Sequence, residues 1–250
     1  MNRLLNPAQH RYPQFDYPLY FRQLYRRYGL KALYKQFRFN NRRPFSRGLI
    51  QEYAPSGSGI EIGVGFFTIA PLKRTILTDG FSSHGHDDSI ATDFCKADEI
   101  PAPDSSFDFI LSEHVLEHIC NPIRALEEWK RVLNPKGKLF IFLPHKDRIF
   151  DRNRQRTKLV HLFEDYQNQV TDPDFTHLDD WITNVVKPGL APHYASIPEY
   201  KHPEFGLMHH HVWVTDDICE LLKALDFKIL YSLDCCPDRQ DSFVVVAEKV

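Results

Sequence analysis

Ten residues, Gly59-Ile-Glu-Ile-Gly-Val-Gly-Phe-Phe-Thr68, restrict the fold of this chain more than any other stretch. Ser58 to Ile62 alternates and ends in β-branched residues, the pattern of a short buried strand. Gly63 and Gly65 then let the backbone turn sharply and approach a ligand with no side chain in between. Glu61 sits at the carboxyl end of the strand, where open α/β sheets bind their ligands. An ordinary strand followed by a glycine turn would read the same over these residues. The order of elements downstream separates the two readings.

Thr75 to Thr78 is a second short strand ending at Asp79, and the polar residues 81–90 form a loop. The helix between Gly65 and Pro71 has room for barely two turns. Ala91 to Cys95 is a third strand and Phe107 to Ser112 a fourth. Asn121-Pro122 starts a helix as N-cap and first-turn proline. Ile123, Leu126, Trp129, Val132 and Leu133 line one face of it, Asn134 to Gly137 stops it, and Lys138 to Leu143 is a fifth strand. Such β-α-β alternation indicates a mainly parallel sheet covered on both faces. The pattern then breaks into a polar loop (145–158), helices around 158–170 and 177–186, and a Pro-rich loop. Order returns with a strand at His211 to Val214 and a helix capped by Thr215. Lys228 to Leu233 and Ser242 to Glu248, joined only by a loop, must pair antiparallel.

Charge divides the chain differently. Residues 1–47 hold eleven Lys/Arg against a single acid, a net +10 that leaves −12 on the rest. Aromatics and leucines at helical spacing (Phe21, Leu24, Tyr25, Tyr28; Leu30, Leu33, Tyr34, Phe37) interleave with those arginines. The segment reads either as a helical cap on the acidic domain or as an arm for an anionic surface or partner. We therefore divide the chain into a basic aromatic cap or arm, 1–54, and one α/β domain, 55–250, with an insertion at about 146–208. No apolar run approaches the roughly 18 residues of a membrane span. The first residues lack the apolar core of a signal peptide. Cys95, Cys120, Cys219, Cys235 and Cys236 form an odd set without CxxC spacing, which suits the cytoplasm and indicates neither a disulfide framework nor a zinc site.

Across residues 57–145 the order and spacing of these pieces resemble the class I S-adenosylmethionine-dependent methyltransferases of the type 11 domain group. The resemblance is carried by Glu61-Ile-Gly-Val-Gly65, Asp79, Lys96-Ala-Asp-Glu-Ile-Pro101, Ser105-Ser-Phe-Asp108, Leu111-Ser-Glu-His-Val-Leu-Glu-His118 and Trp129-Lys-Arg-Val-Leu-Asn-Pro-Lys-Gly137. It implies a Rossmann-like, seven-stranded, mainly parallel sheet with a C-terminal antiparallel strand, helices on both faces and an N-terminal helical cap. It also implies S-adenosyl-L-methionine as cofactor. Glu61, Gly63 and Gly65 would wrap its methionine portion and Asp79 would accept the ribose hydroxyls. The Ala97 backbone would meet the adenine, and Ser112, Glu113 and His114 would floor the site. Two positions depart from the family. Lys96 stands where an acid usually holds the adenine amino group, leaving Asp98, Asp93 or backbone for that task, and Phe67 replaces a third glycine.

Methyl transfer to a hydroxyl needs a positioned acceptor and a base. His145, directly after the fifth strand, is the predicted base. Arg148, His161, His209 and His211 are predicted to border the acceptor, a small molecule such as a sugar or glycoconjugate. The same charges could equally be a solvated loop. His84-Gly-His86-Asp-Asp88 has a superficial metal-ligand look without the remaining context, and no metal is predicted. The competing reading is a catalytically inactive binding protein that works through its basic arm.

Overall fold

In the computed structural model of the protein, residues 4–7, 43–65, 68–80, 89–191 and 208–250 are described. The expected helices within 8–42, Phe67, the 81–88 loop with its histidines, and most of the Pro-rich loop lie outside these residues.

Seven strands form one sheet: β1 (Gly59–Ile62), β2 (Thr75–Asp79), β3 (Asp93–Phe94), β4 (Phe107–Glu113), β5 (Leu133–Pro144), β6 (Phe227–Leu233) and β7 (Ser242–Lys249). Their order is β3-β2-β1-β4-β5-β7-β6. Only β7 runs against its neighbours, so six strands are parallel and the C-terminal one is antiparallel. Chain order reverses between β1 and β4, which places a crevice at their carboxyl ends.

Helices cover both faces. On one, α1 (Pro44–Tyr53) sets Leu49 and Ile50 against Phe109, Phe140, Val244 and Val246. On the other, α2 (Pro122–Val132) buries Ile123, Leu126, Trp129 and Val132, with Ile218, Leu221 and Leu222 of α5 (Thr215–Ala224) beside them. The Asn121 side chain accepts from Arg124 N at 3.1 Å, the expected cap. Leu126 is fully buried, so truncating it to alanine would cost about 2–5 kcal/mol. Between β5 and α5 lie α3 (Leu159–Gln167) and α4 (Leu178–Trp181), the latter running into a wider turn at Ile182–Val186. Among the described residues, no helix is long and apolar enough to cross a membrane.

Four local expectations change. No α-helix follows Gly65 in the described part; Thr68 Oγ1 takes the Ala70 N–H at 2.8 Å, and only a single turn, Leu72–Arg74, fits after Pro71. The third strand shrinks to two residues, whereas the fifth starts five residues early, at Leu133. His211 to Val214 is not a strand, because only Trp213 bridges to His145. Thr215 is the first helical residue of α5, not its cap. Asp217 accepts from Val214 N at 2.8 Å, while the Thr215 hydroxyl turns to Asp234 at 2.6 Å.

Candidate active site

The carboxyl ends of β1, β2 and β4 stand side by side. Val64 N donates to Thr78 O at 3.0 Å, drawing the chain over β2. Gly63 and Gly65 have φ of 70° and 53°. They are glycine for different reasons. A Cβ at Gly63 would lie 2.3 Å from Val115 Cγ2, whereas at Gly65 it would meet no described atom within 4 Å. One glycine is closed upon; the other faces none of the described residues.

Asp79 ties this turn together. Its Oδ2 accepts from Gly65 N at 3.2 Å and Ser89 Oγ at 2.7 Å, and its Oδ1 from Gly80 N at 2.9 Å. A carboxylate offers about four acceptor sites, so Oδ1 keeps one to spare, and Oδ2 gains one if Ser89 lets go. Glu61 is buried and accepts from the Thr68 hydroxyl. Burial pushes its carboxyl well above the usual carboxylate range.

At the end of β4, Ser112 Oγ is buried with no hydrogen-bond partner among the described residues. Glu113 receives two guanidinium groups, from Arg43 at 2.7 Å and Arg239 at 2.6 Å. His114 adopts a left-handed backbone, φ 55°. Arg239 can only donate, so His114 Nδ1, 3.1 Å away, is an acceptor, and Nε2–H donates to Ser242 Oγ at 2.7 Å. Burial first, then Arg239, hold this ring well below the ordinary histidine pKa. His114 is therefore a neutral wall of the crevice.

The turn Leu116–His118 raises two more side chains beside that wall. Glu117 is buried, 3.7 Å from His114 Nδ1 and 4.0 Å from His118 Nε2, and burial pushes its carboxyl up to about 7. His118 Nδ1 donates to Met208 O at 3.1 Å. His209 completes the group, its ring centroid 4.7 Å from that of His118. Each of Glu117, His118 and His209 offers an atom within 4.8 Å of the others'. His209 Nδ1 is bonded to the fully buried Asp151, whose second oxygen is held by Arg154 at 3.1 Å. Arg154 also donates to the His209 carbonyl at 2.7 Å. With Nδ1–H given to a carboxylate, Nε2 is the nitrogen left to take a proton.

Comparison with known proteins bears on this arrangement. Residues 80–141 match a family model described as a methyltransferase domain. An uncharacterized protein of Methanocaldococcus jannaschii is 32% identical over 117 residues, 44% of this chain and 57% of that protein. The ubiquinone/menaquinone biosynthesis C-methyltransferase of Hahella chejuensis is 36% identical over 80 residues, 31% and 32% of the two chains. In fold, the 1,6-didemethyltoxoflavin-N1-methyltransferase of Burkholderia thailandensis superposes with a TM-score of 0.50 at 11% identity, covering 95% of this chain and 91% of its own. Over residues 80–141 in sequence, and in fold, the chain is similar to the class I S-adenosylmethionine-dependent methyltransferases. It spans 57% or less of the length of the curated relatives it matches.

The residues present fit S-adenosylmethionine, the cofactor of that family. Gly65 with no described atom over it, a spare acceptor site on Asp79 and the buried Ser112 hydroxyl without a described partner all lie at the carboxyl ends of β1, β2 and β4, next to the point where strand order reverses. Trp129 Nε1 donates to Ala97 O at 2.8 Å, fixing the backbone at the expected adenine position. Lys96 is exposed, Asp98 is paired with Arg124 at 3.2 Å and Asp93 accepts from Thr92.

The predicted acceptor-side residues fall in three places. His145 is separate from the Glu117 group: its Nδ1 accepts from Asp147 N at 3.2 Å and its Nε2 lies 3.4 Å from Asp234. Arg148 is committed to the same Asp234 at 2.8 Å. His161 and His211 join Asp165 and His177 in another cluster. His209 is the one whose ring stands beside Glu117 and His118. Sequence reasoning missed Asp151, Glu117 and Arg239 as parts of the site. Asp151 and Glu117 lay inside stretches already marked, but nothing local tells a buried carboxylate from a solvated one.

Proposed function

We propose that the protein transfers a methyl group from S-adenosylmethionine to a hydroxyl-bearing small molecule, with His209 in place of His145 as the general base. The observation that carries this reading is the buried Asp151–His209 pair beside Glu117 and His118 at the end of β4. Glu61 and the backbone at Gly63 and Gly65 take the methionine portion, Asp79 the ribose and the Ala97 backbone the adenine. Ser112, Glu113 and His114 floor the site. When bound, the cofactor supplies a methyl group on a sulfonium, ready for in-line displacement. Asp151 orients the imidazole and stabilises it once charged, and His209 Nε2 removes the acceptor's hydroxyl proton. With its carboxyl pushed up to about 7, Glu117 is partly protonated near neutrality, and in that form it can donate a hydrogen bond to an acceptor oxygen.

A sugar or glycoconjugate has such a hydroxyl, and the +10 charge of residues 1–47 favours an anionic one. Part of that charge is spent internally, since Arg43 binds Glu113 and Asp238. The five cysteines are unpaired, in keeping with a reducing cytoplasm. Calorimetric titration with S-adenosylhomocysteine, followed by transfer assays on saccharides and phenols, tests the reading. Micromolar binding with turnover that depends on His209 supports it. No binding at millimolar ligand would overturn it in favour of a non-enzymatic role for the basic arm.

A further inference from the structure

We propose that His161, Asp165, His177 and His211 bind a divalent transition metal ion of the zinc class. The four side chains converge from three separate stretches: α3, the residue preceding α4, and the extended segment before α5. One candidate ligand atom from each lies within 4.8 Å of the other three. His161 Nε2 is 3.2 Å from His177 Nε2 and 3.3 Å from Asp165 Oδ2, and Asp165 Oδ2 is 3.8 Å from His211 Nε2. Ligands arranged tetrahedrally at zinc distances of roughly 2.0–2.1 Å stand about 3.3 Å apart. Two of these separations already have that value, and the third needs a shift of about half an ångström.

Burial points the same way. Asp165 is 7% exposed, yet its Oδ2 has no hydrogen bond among the described residues. His211 is fully buried, and its Nδ1 likewise has none. A dry carboxylate oxygen ringed by imidazoles is costly unless something positive sits among them. Three imidazoles and one carboxylate suit zinc and its neighbours, not calcium or magnesium. Without an ion, His211 Nε2 donates to Cys120 O at 3.2 Å; loading replaces that bond and leaves the ring proton on Nδ1. Four protein donors leave no open position, so the ion is structural. It fastens α3 to the strap carrying His209, and His210 N, donating to Glu117 O at 2.8 Å, keeps that strap against the active site.

The test uses the full-length protein, stripped with a chelator and titrated with Co²⁺, whose tetrahedral complexes absorb strongly in the visible. The wild type should bind a single ion with tetrahedral bands, and Zn²⁺ should displace it. His177→Ala and His161→Gln, both at partly exposed positions, should weaken binding more than the roughly 10- to 100-fold that loss of an outer partner costs. His118→Ala should bind normally, because Glu117, His118 and His209 are the competing cluster. Circular dichroism checks that each variant folds. A wild type without tetrahedral bands overturns the site, and so does binding lost in His118→Ala but kept in His177→Ala.

Discussion

Around β1 to β4, each residue of the proposed cofactor side sits at or within three positions of a strand end, where parallel register places it without further help. The proposed acceptor side is assembled otherwise. His209 finds Asp151 58 residues away, and His118 bonds to Met208 across 90. Arg154 must bridge Asp151, the His209 and His210 carbonyls and Asp180 to hold the arrangement. Strand ends are positioned by a sheet that is stable for its own reasons, whereas the histidines depend on a buried charge network that is costly to break. The first construction suits a cofactor that stays the same. The second suits an acceptor that can change with the insertion around it.

The sharpest way to break this contrast is at His209. His209→Asn should lower kcat by about 10²- to 10⁴-fold, the usual contribution of a positioned base, while leaving S-adenosylhomocysteine affinity unchanged. His145→Gln, whose ring is bonded to Asp147 N and lies beside Asp234 and Phe243, should leave turnover nearly intact. The reverse pattern in a single-turnover transfer assay would return the base to His145. Next in size is Asp79→Ala, which should weaken S-adenosylhomocysteine binding by about 10- to 100-fold through lost charge-assisted hydrogen bonds. Turnover at saturating cofactor should change little. Equal calorimetric affinities would remove Asp79 from the ribose site and leave it as a clamp on Gly65 and Ser89.

The same contrast explains what could be read from the chain. Most strand positions along the chain, the Gly63–Gly65 turn and the Asn121 cap were legible because each depends on neighbours only a few residues away. The first helix was expected and is missing from the described residues, because Pro71 and the Thr68 side chain take over its backbone bonding. His145 was expected as the base from its place after β5; the carboxylate beside its ring, Asp234, comes nearly ninety residues later and could not be read from its neighbours. The cluster of His161, Asp165, His177 and His211 could not be seen from spacing, since His161 and Asp165 share one turn of helix while the others arrive from elsewhere.

Smaller effects separate the two glycines. Gly65→Ala should cost only the strain of a positive φ, about 1–2 kcal/mol. Gly63→Ala adds a collision with Val115 Cγ2 and should be the less stable variant by thermal unfolding. Val115→Ala in that background should recover part of the loss. If Gly63→Ala and Gly65→Ala unfold alike, the close approach of Val115 does not constrain the turn.

Glu61 gives the finest test, because it links the cofactor side to pH. Burial, opposed by the Thr68 hydrogen bond, holds the free carboxyl well above the ordinary glutamate range. An ammonium placed beside it favours the ionised form, so its pKa in the complex is lower than in the free protein. Binding then releases a proton wherever the pH lies between the two values. Affinity for S-adenosylhomocysteine should therefore rise with pH through that window and level off above the free-state pKa. The stability of the ligand-free protein should follow the opposite slope. A carboxyl whose folded pKa is raised loses stability as pH climbs from the unfolded value toward the folded one. Glu61→Gln should flatten both slopes, read by calorimetry in buffers of different ionisation enthalpy and by denaturant unfolding from about pH 5 to 8. An affinity slope that survives in Glu61→Gln assigns the released proton to another group, and Glu61 is then only the Thr68-bound support of the turn.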